Sequence, residues 1–176
     1  TDKLVSLEVE KTFLSGLFRN PQVIYEVETF LKESDFYNKM NQTIFIVCRE
    51  LLLKGQELSK TLVAQKVKEL NISFRDPISP FDYIDAITLA PVTAKGAINS
   101  AKELVKLRIR RDIYSDAKEV QSFVLGPSCS KSTVSEIISN VDAIYNKRIN
   151  AITTDDEPVD LYAELEERIR ARGANP

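Results

Sequence analysis

Histidine and tryptophan are absent from the 176 residues, glycine occurs five times and cysteine twice. Without histidine, no Ser-His or Cys-His pair can activate a nucleophile. A zinc site would have to rely on two distant cysteines and carboxylates, a set that zinc does not favour. No calcium-loop pattern is present. Two cysteines do not make a disulfide framework in a chain of this size. Cys48 lies in an apolar helical run and reads as a buried thiol. Cys129 lies in a serine-rich loop and reads as an exposed one. The pair fits a reducing cytosol. No apolar run is long enough to span a membrane, and no signal peptide is visible. The sequence begins at Thr1 rather than Met, so a processed or cut start is expected.

What remains is a folded, helical protein. Hydrophobic residues make up 43% and charged residues 28%, too apolar a mixture for a disordered chain. The formal net charge of −2 argues against a surface that is wholly a nucleic-acid footprint, while leaving room for a local basic stripe. Scarce glycine and apolar residues at helical spacing predict an all-α fold.

The pattern divides the chain into a helical head over 1–91, a helical hairpin over 92–151, and an acidic linker with a docking helix over 152–176. In the head, Leu7 to Phe18 reads as a first helix with Ser6 as N-cap. Pro21 opens a second helix carrying Val23, Ile24, Val27, Phe30 and Leu31. Asn38 to Lys54 is the strongest helix of the front half, with Ile44, Val47, Cys48 and Leu51 in one stripe and Gly55 as its stop. Ser59 caps a fourth helix bearing Leu62, Val63, Val67 and Leu70. Asn71 to Pro80 reads as a loop, and a short helix carrying Phe81, Tyr83, Ile84, Ile87 and Leu89 follows it, ended by Pro91.

From Thr93 to about Leu125 there is no proline and one glycine. Val105, Ile109, Ile113, Val120 and Val124 recur at helical spacing, with Leu104, Leu107 and Tyr114 beside them. Gly126-Pro127 ends this helix. A second long helix from about Ser132 to Ile149 carries Val134, Ile137, Ile138, Val141, Ile144 and Tyr145. Two such helices joined by a Gly-Pro-Ser turn make an antiparallel αα-hairpin. Beyond the acidic stretch Asp155-Asp156-Glu157, Pro158 starts a last short helix. Leu161, Leu165 and Ile169 form its narrow stripe, and Glu164/Arg168 and Glu166/Arg170 are spaced as i,i+4 pairs. A helix this short is marginal alone and is expected to dock on another surface.

The string Gly126-Pro127-Ser128-Cys129-Ser130-Lys131-Ser132 imitates a phosphate-binding loop. The loop needs a glycine before its lysine and a preceding strand. Here Ser130 holds that place and a helix precedes, so a helix-turn-helix reading is favoured. The cluster Lys102, Lys106, Arg108, Arg110 and Arg111, interleaved with Glu103, Asp112 and Asp116, reads first as the solvated face of a long helix. Contact with DNA phosphate or an acidic partner is the sharper alternative. No aromatic ladder supports base stacking. In Asp35-Phe36-Tyr37, the aspartate is expected to cap a turn and both aromatics to staple the second and third helices together; an exposed aromatic pair serving as an interface is the alternative.

Taken in order, Glu8-x-Glu10-x-x-x-Leu14-x-Gly16-Leu17, then Asp35-Phe36-Tyr37, then Ile44-Phe45, resemble the N-terminal domain of DnaB-type replicative DNA helicases. Ala90-Pro91-Val92-Thr93-Ala94 leads into Lys106 to Arg111 much as that family's head leads into its hairpin. Asn41 and Gln42 stand near the place where the family often has a histidine. The resemblance implies an all-α collar: a small orthogonal bundle, a long antiparallel hairpin and a C-terminal linker helix. It implies no catalytic residue, cofactor or metal in this chain, with ATP and magnesium confined to a motor domain beginning soon after Pro176.

It further implies self-association as dimers, then a trimer of dimers or hexamer, and binding of primase and a helicase loader. The linker helix would pack on a neighbouring motor domain. On that basis the expected interface residues are Ile113, Tyr114, Val120, Ile137, Val141 and Ile144 of the hairpin, and Leu161, Leu165 and Ile169 of the linker helix. Direct DNA contact is expected to be weak or indirect, the location the cytoplasm of a bacterium or phage-infected cell. Two alternatives stay open at this point: the helicase-binding domain of a primase, and a free-standing DNA-binding helical adaptor.

Overall fold

A computed structural model describes the backbone of residues 2–75 and 78–153, and the side chains of 3–75 and 78–147. The expected linker helix, with Leu161, Leu165 and Ile169, lies outside the described residues. The described residues form eight α-helices and no strand: α1 Leu7–Arg19, α2 Ile24–Val27, α3 Lys39–Leu53, α4 Lys60–Glu69, α5 Pro80–Ile87, α6 Ala94–Leu125, α7 Pro127–Ser130 and α8 Val134–Thr153. The fold is all-α. The chain divides into two compact units, Thr1–Asp112 and Ile113–Pro176.

Local chemistry sets the helix limits. Ser6 caps α1 by accepting from the Val9 amide, Ser59 caps α4 through Leu62, and Ser79 caps α5 through Asp82. Asn38 does the same for α3, its Oδ1 accepting from the Asn41 amide at 3.0 Å. Gly55 ends α3 in the left-handed region, at φ 72°, where a side chain would be strained. Two segments depart from the sequence reading. Pro80 opens α5 rather than closing a loop, because a proline at the first helical position forfeits an amide that has no intrahelical partner anyway. The helix after Pro21 is a 3-10 turn and a single α-turn ending at Val27, with Phe30 and Leu31 beyond it.

In the first unit, α4 packs on α3 and α5, and α1 packs on α3 and α5. Three rings fill the centre. Phe36 stacks on Phe45 with centroids 4.9 Å apart, and Phe13 meets both at 5.9 and 5.8 Å. Of the expected aromatic staple, only Phe36 is a core residue; Tyr37 is 64% exposed and lies against the Arg111 guanidinium. Alternate residues of this extended segment face opposite ways, so one aromatic points in and the next out.

Small residues let α1 and α6 touch. Gly16, Ala97 and Ala101 are all buried, and a Cβ on Gly16 would stand 2.5 Å from the Ala97 Cβ and 2.9 Å from Val92 Cγ1. The strand of chain between α5 and α6 is held from α1. Ser15 donates its hydroxyl to the Ala90 carbonyl at 2.7 Å. Arg19 donates to the carbonyls of Thr88, Leu89 and Ala90, and Asn20 to that of Val92.

Two buried carboxylates organise the rest. Asp35, fully buried, accepts from the Lys32 amide at 2.6 Å, closing its turn as expected, and from Arg108 Nε at 2.5 Å. Arg108 also pairs with Asp112 at 2.9 Å, while Arg111 donates to the carbonyls of Leu4 and Asp35. Burial acts to lower the Arg108 pKa, but its hydrogen bonds and attraction to Asp35 and Asp112 leave it raised. Two of the five basic residues in the cluster are therefore internal ties of the head.

Glu10 is the second. It is 1% exposed and accepts from the Tyr37 amide at 2.6 Å, the Asn38 amide at 3.3 Å and Asn41 Nδ2 at 2.7 Å. Tyr83 in turn donates its hydroxyl to Asn41 Oδ1. Burial raises the Glu10 carboxyl above its ordinary pKa, against the opposing pull of those hydrogen bonds and of Arg111. A carboxyl raised on folding contributes stability that is complete below its unfolded pKa and is lost as pH rises through the folded value. Glu10→Gln removes that pH-dependent contribution and turns an amide NH2 toward converging donors. The variant is expected to be destabilised by about 1–2 kcal/mol. In urea denaturation at a series of pH values, its deficit should be largest at the acid end and narrow as pH rises; a deficit that is flat with pH would refute this account.

Candidate protein interface

The second unit holds the end of α6, the short α7, and α8. The Gly126-Pro127 junction is not a simple turn: Pro127–Ser130 forms α7. The phosphate-loop imitation is thereby used up internally. Ser130 and Ser132 donate their hydroxyls to the Pro127 and Ser128 carbonyls, and the Lys131 and Ser132 amides bond Ser128 and Cys129 carbonyls. Coiling this segment also buries Cys129 to 8% exposure, correcting the expectation of an exposed thiol. Cys48 is fully buried as expected, and burial pushes its thiol pKa up. Thr133 and Glu136 form a reciprocal cap at the start of α8, the Glu136 carboxylate accepting from the Thr133 amide at 2.7 Å.

The six expected hairpin residues separate into two groups. Val120, Ile137, Val141 and Ile144 are half-buried, together with Phe123. Ile113 and Tyr114 are open, at 56% and 44% exposure. Glu119 and Phe123 of α6 line one shallow groove with Asn140, Ala143, Ile144 and Lys147 of α8, the register of a hairpin seam.

Helical geometry explains the division. At about 100° per residue, Ile137, Val141 and Ile144 occupy one side of an apolar arc on α8, and Val134, Ile138 and Tyr145 the other. One neighbouring helix covers only the first side. Val134 and Ile138 stay 74% and 57% exposed and line a second shallow groove with Ser135, Ser139 and Asp142. On α6, Ile113 and Val124 flank the seam in the same way, and Val124, Leu125 and Tyr145 are all open to solvent. The exposed residues Val134, Ile138 and Tyr145 were not singled out as interface from sequence. The width of the α8 arc was the signal, since an arc broader than one contact leaves an edge uncovered. The Lys118 ammonium lies 4.9 Å from the Tyr114 ring centroid.

Among the described residues, no group of three His, Cys, Asp or Glu side chains is placed to hold a metal ion. None of the described helices is long and apolar enough to cross a membrane.

A compact helical head whose chain continues into a long helix and a second, partly uncovered helix defines a class of all-α domain. The chain belongs to the family of DnaB-like helicase N-terminal domains, whose family model matches residues 2–106. Among solved structures it is similar to the crystal structure of the N-terminal domain of DnaB helicase from Mycobacterium tuberculosis. The TM-score is 0.67 at 20% sequence identity, over 80% of this chain and 96% of that one. At that identity the likeness speaks for the fold. No curated protein sequence matches the chain.

Proposed function

We propose that this chain is the non-catalytic collar domain of a hexameric ATP-dependent replicative DNA helicase. It joins copies of itself through the hairpin, as dimers and then as a trimer of dimers or hexamer, and presents the collar to primase and a helicase loader. ATP and magnesium act in the motor domain of the parent protein, against which a neighbour's Leu161, Leu165 and Ile169 pack. The site of action is the cytoplasm.

The observation that carries this reading is the uncovered apolar edge of the hairpin: Ile113, Val124, Val134, Ile138 and Tyr145. Large apolar side chains exposed in one row mark an interaction surface. A second hairpin related by a two-fold axis presents the same row and covers it. The family match favours a helicase over the primase-domain and free-standing-adaptor alternatives.

Sedimentation velocity over a range of protein concentrations tests the assembly step. The native chain should pass reversibly from monomer to dimer. Ile138→Asp should weaken that association by about tenfold or more, equivalent to at least ~1.4 kcal/mol, with the helical circular dichroism unchanged. A native chain that stays monomeric throughout, or a variant that associates as well as the native chain, would sink the assembly reading. Binding of a labelled primase helicase-binding domain, measured on both proteins, tests the partner.

A further inference from the structure

Lys118 aside, the basic residues of α6 that do not tie the head together form a stripe. Lys95, Lys102, Lys106 and Arg110 are all exposed, with exposed Asn99 between the first two. Intervals of four, three, four and four residues keep the five on one side of the helix. At about 1.5 Å per residue they extend over about 22 Å. Lys95, Lys102 and Arg110 have no ion pair among the described residues; Lys106 meets Glu103 at 3.4 Å in an exposed i,i+3 pair, which is worth little in water. By contrast, Arg108 and Arg111 are turned onto Asp35 and the Leu4 carbonyl.

We infer that this stripe binds the sugar-phosphate backbone of a nucleic-acid strand. Three observations favour phosphate over a protein partner. The stripe contains no apolar residue, whereas a folded protein partner would require a desolvated apolar centre. Its last three cations recur at about 6 Å, comparable with the spacing of successive phosphates along a strand. Asn99 fills the one gap with a neutral side-chain donor, a group that also bonds phosphate oxygens. With no aromatic residue in the stripe, the contact is electrostatic and indifferent to base identity. It ends in the first unit at Arg110, one helical turn before Ile113, the first of the apolar residues on which the proposed assembly rests, and includes none of them.

Fluorescence anisotropy of a labelled oligothymidylate with the full chain tests this. Four phosphate contacts on a single strand predict that log affinity falls against log salt with a slope of about −3. Lys102→Gln, Lys106→Gln and Arg110→Gln together should cost about tenfold or more in affinity at low salt and flatten the slope to about −1 or less. These side chains are exposed, so helicity should be unchanged, and sedimentation should show the self-association of the native chain. Loss of oligonucleotide binding and loss of assembly are thus separate results. Removing the same charge elsewhere, with Lys68→Gln, Lys131→Gln and Lys147→Gln, should leave binding intact. Three outcomes would overturn the inference: no binding at low salt, an equal loss in the second triple variant, or displacement of the oligonucleotide by a poly-glutamate peptide at lower concentration than by unlabelled oligothymidylate.

Discussion

Arg108→Met is expected to lower the unfolding free energy by about 3 kcal/mol. Asp35 is fully buried, and Arg108 is its cationic partner at 2.5 Å. Methionine keeps most of the aliphatic length and its packing, so the loss isolates the charge. What remains is a carboxylate sealed in the head with the Lys32 amide as its other donor. Desolvating an ion without compensation is among the costliest single changes a small domain can suffer. The double variant Arg108→Met/Asp35→Asn should recover a large part of the loss, because the neutral amide still accepts from Lys32. Chemical denaturation of the two single variants and the double measures the coupling. Strictly additive losses would show that the pair does not act as a unit.

Gly16→Ala should cost about 3 kcal/mol, the upper part of the range for overpacking. Most glycine-to-alanine changes inside a helix stabilise it, because glycine has more backbone freedom to lose on folding. Here the sign reverses. The new methyl would meet the Ala97 Cβ at 2.5 Å and Val92 Cγ1 at 2.9 Å, distances that real Cβ atoms do not tolerate. The Ala97 Cβ is fixed to the backbone of α6 and cannot swing away, and Val92 Cγ1 can yield only by turning a stiff, branched side chain. Ala97→Gly in the same protein removes the nearest atom and should restore part of the stability, although the Ala97 Cα remains at 3.2 Å. Thermal denaturation of both variants decides it. A Gly16→Ala protein melting at or above the native temperature would mean that the two helices can separate without loss.

Local chemistry was legible in the sequence; direction was not. Ser6 and Ser59 as caps, Gly55 as a stop and the long helix from about Thr93 to Leu125 all follow from rules that act within one turn. So does the turn closed by Asp35. The identity of the side facing inward depends on partners distant in sequence. Arg108 and Arg111 looked like members of one basic run until Asp35, some seventy residues earlier, was seen beneath them. Glu10 read only as one position of a motif, since its three donors come from Tyr37, Asn38 and Asn41. The same limit explains the candidate interface. The hairpin stripe was evident from spacing, but spacing does not say which edge of a broad arc the neighbouring helix covers. The serine-rich surroundings of Cys129 suggest an open loop, but the chain makes one more turn of helix there and closes over the sulfur.

The ties from Ser15, Arg19 and Asn20 to the carbonyls of Thr88, Leu89, Ala90 and Val92 carry a consequence for how this fold tolerates change. Every one of those bonds is made to main chain, and Leu89 itself is 73% exposed. The course of the connector is therefore specified by letters written more than sixty positions upstream. Substitution at Leu89 leaves its carbonyl in place and the path intact. Substitution at Arg19 removes three anchors at once and erases an instruction that the connector does not itself contain.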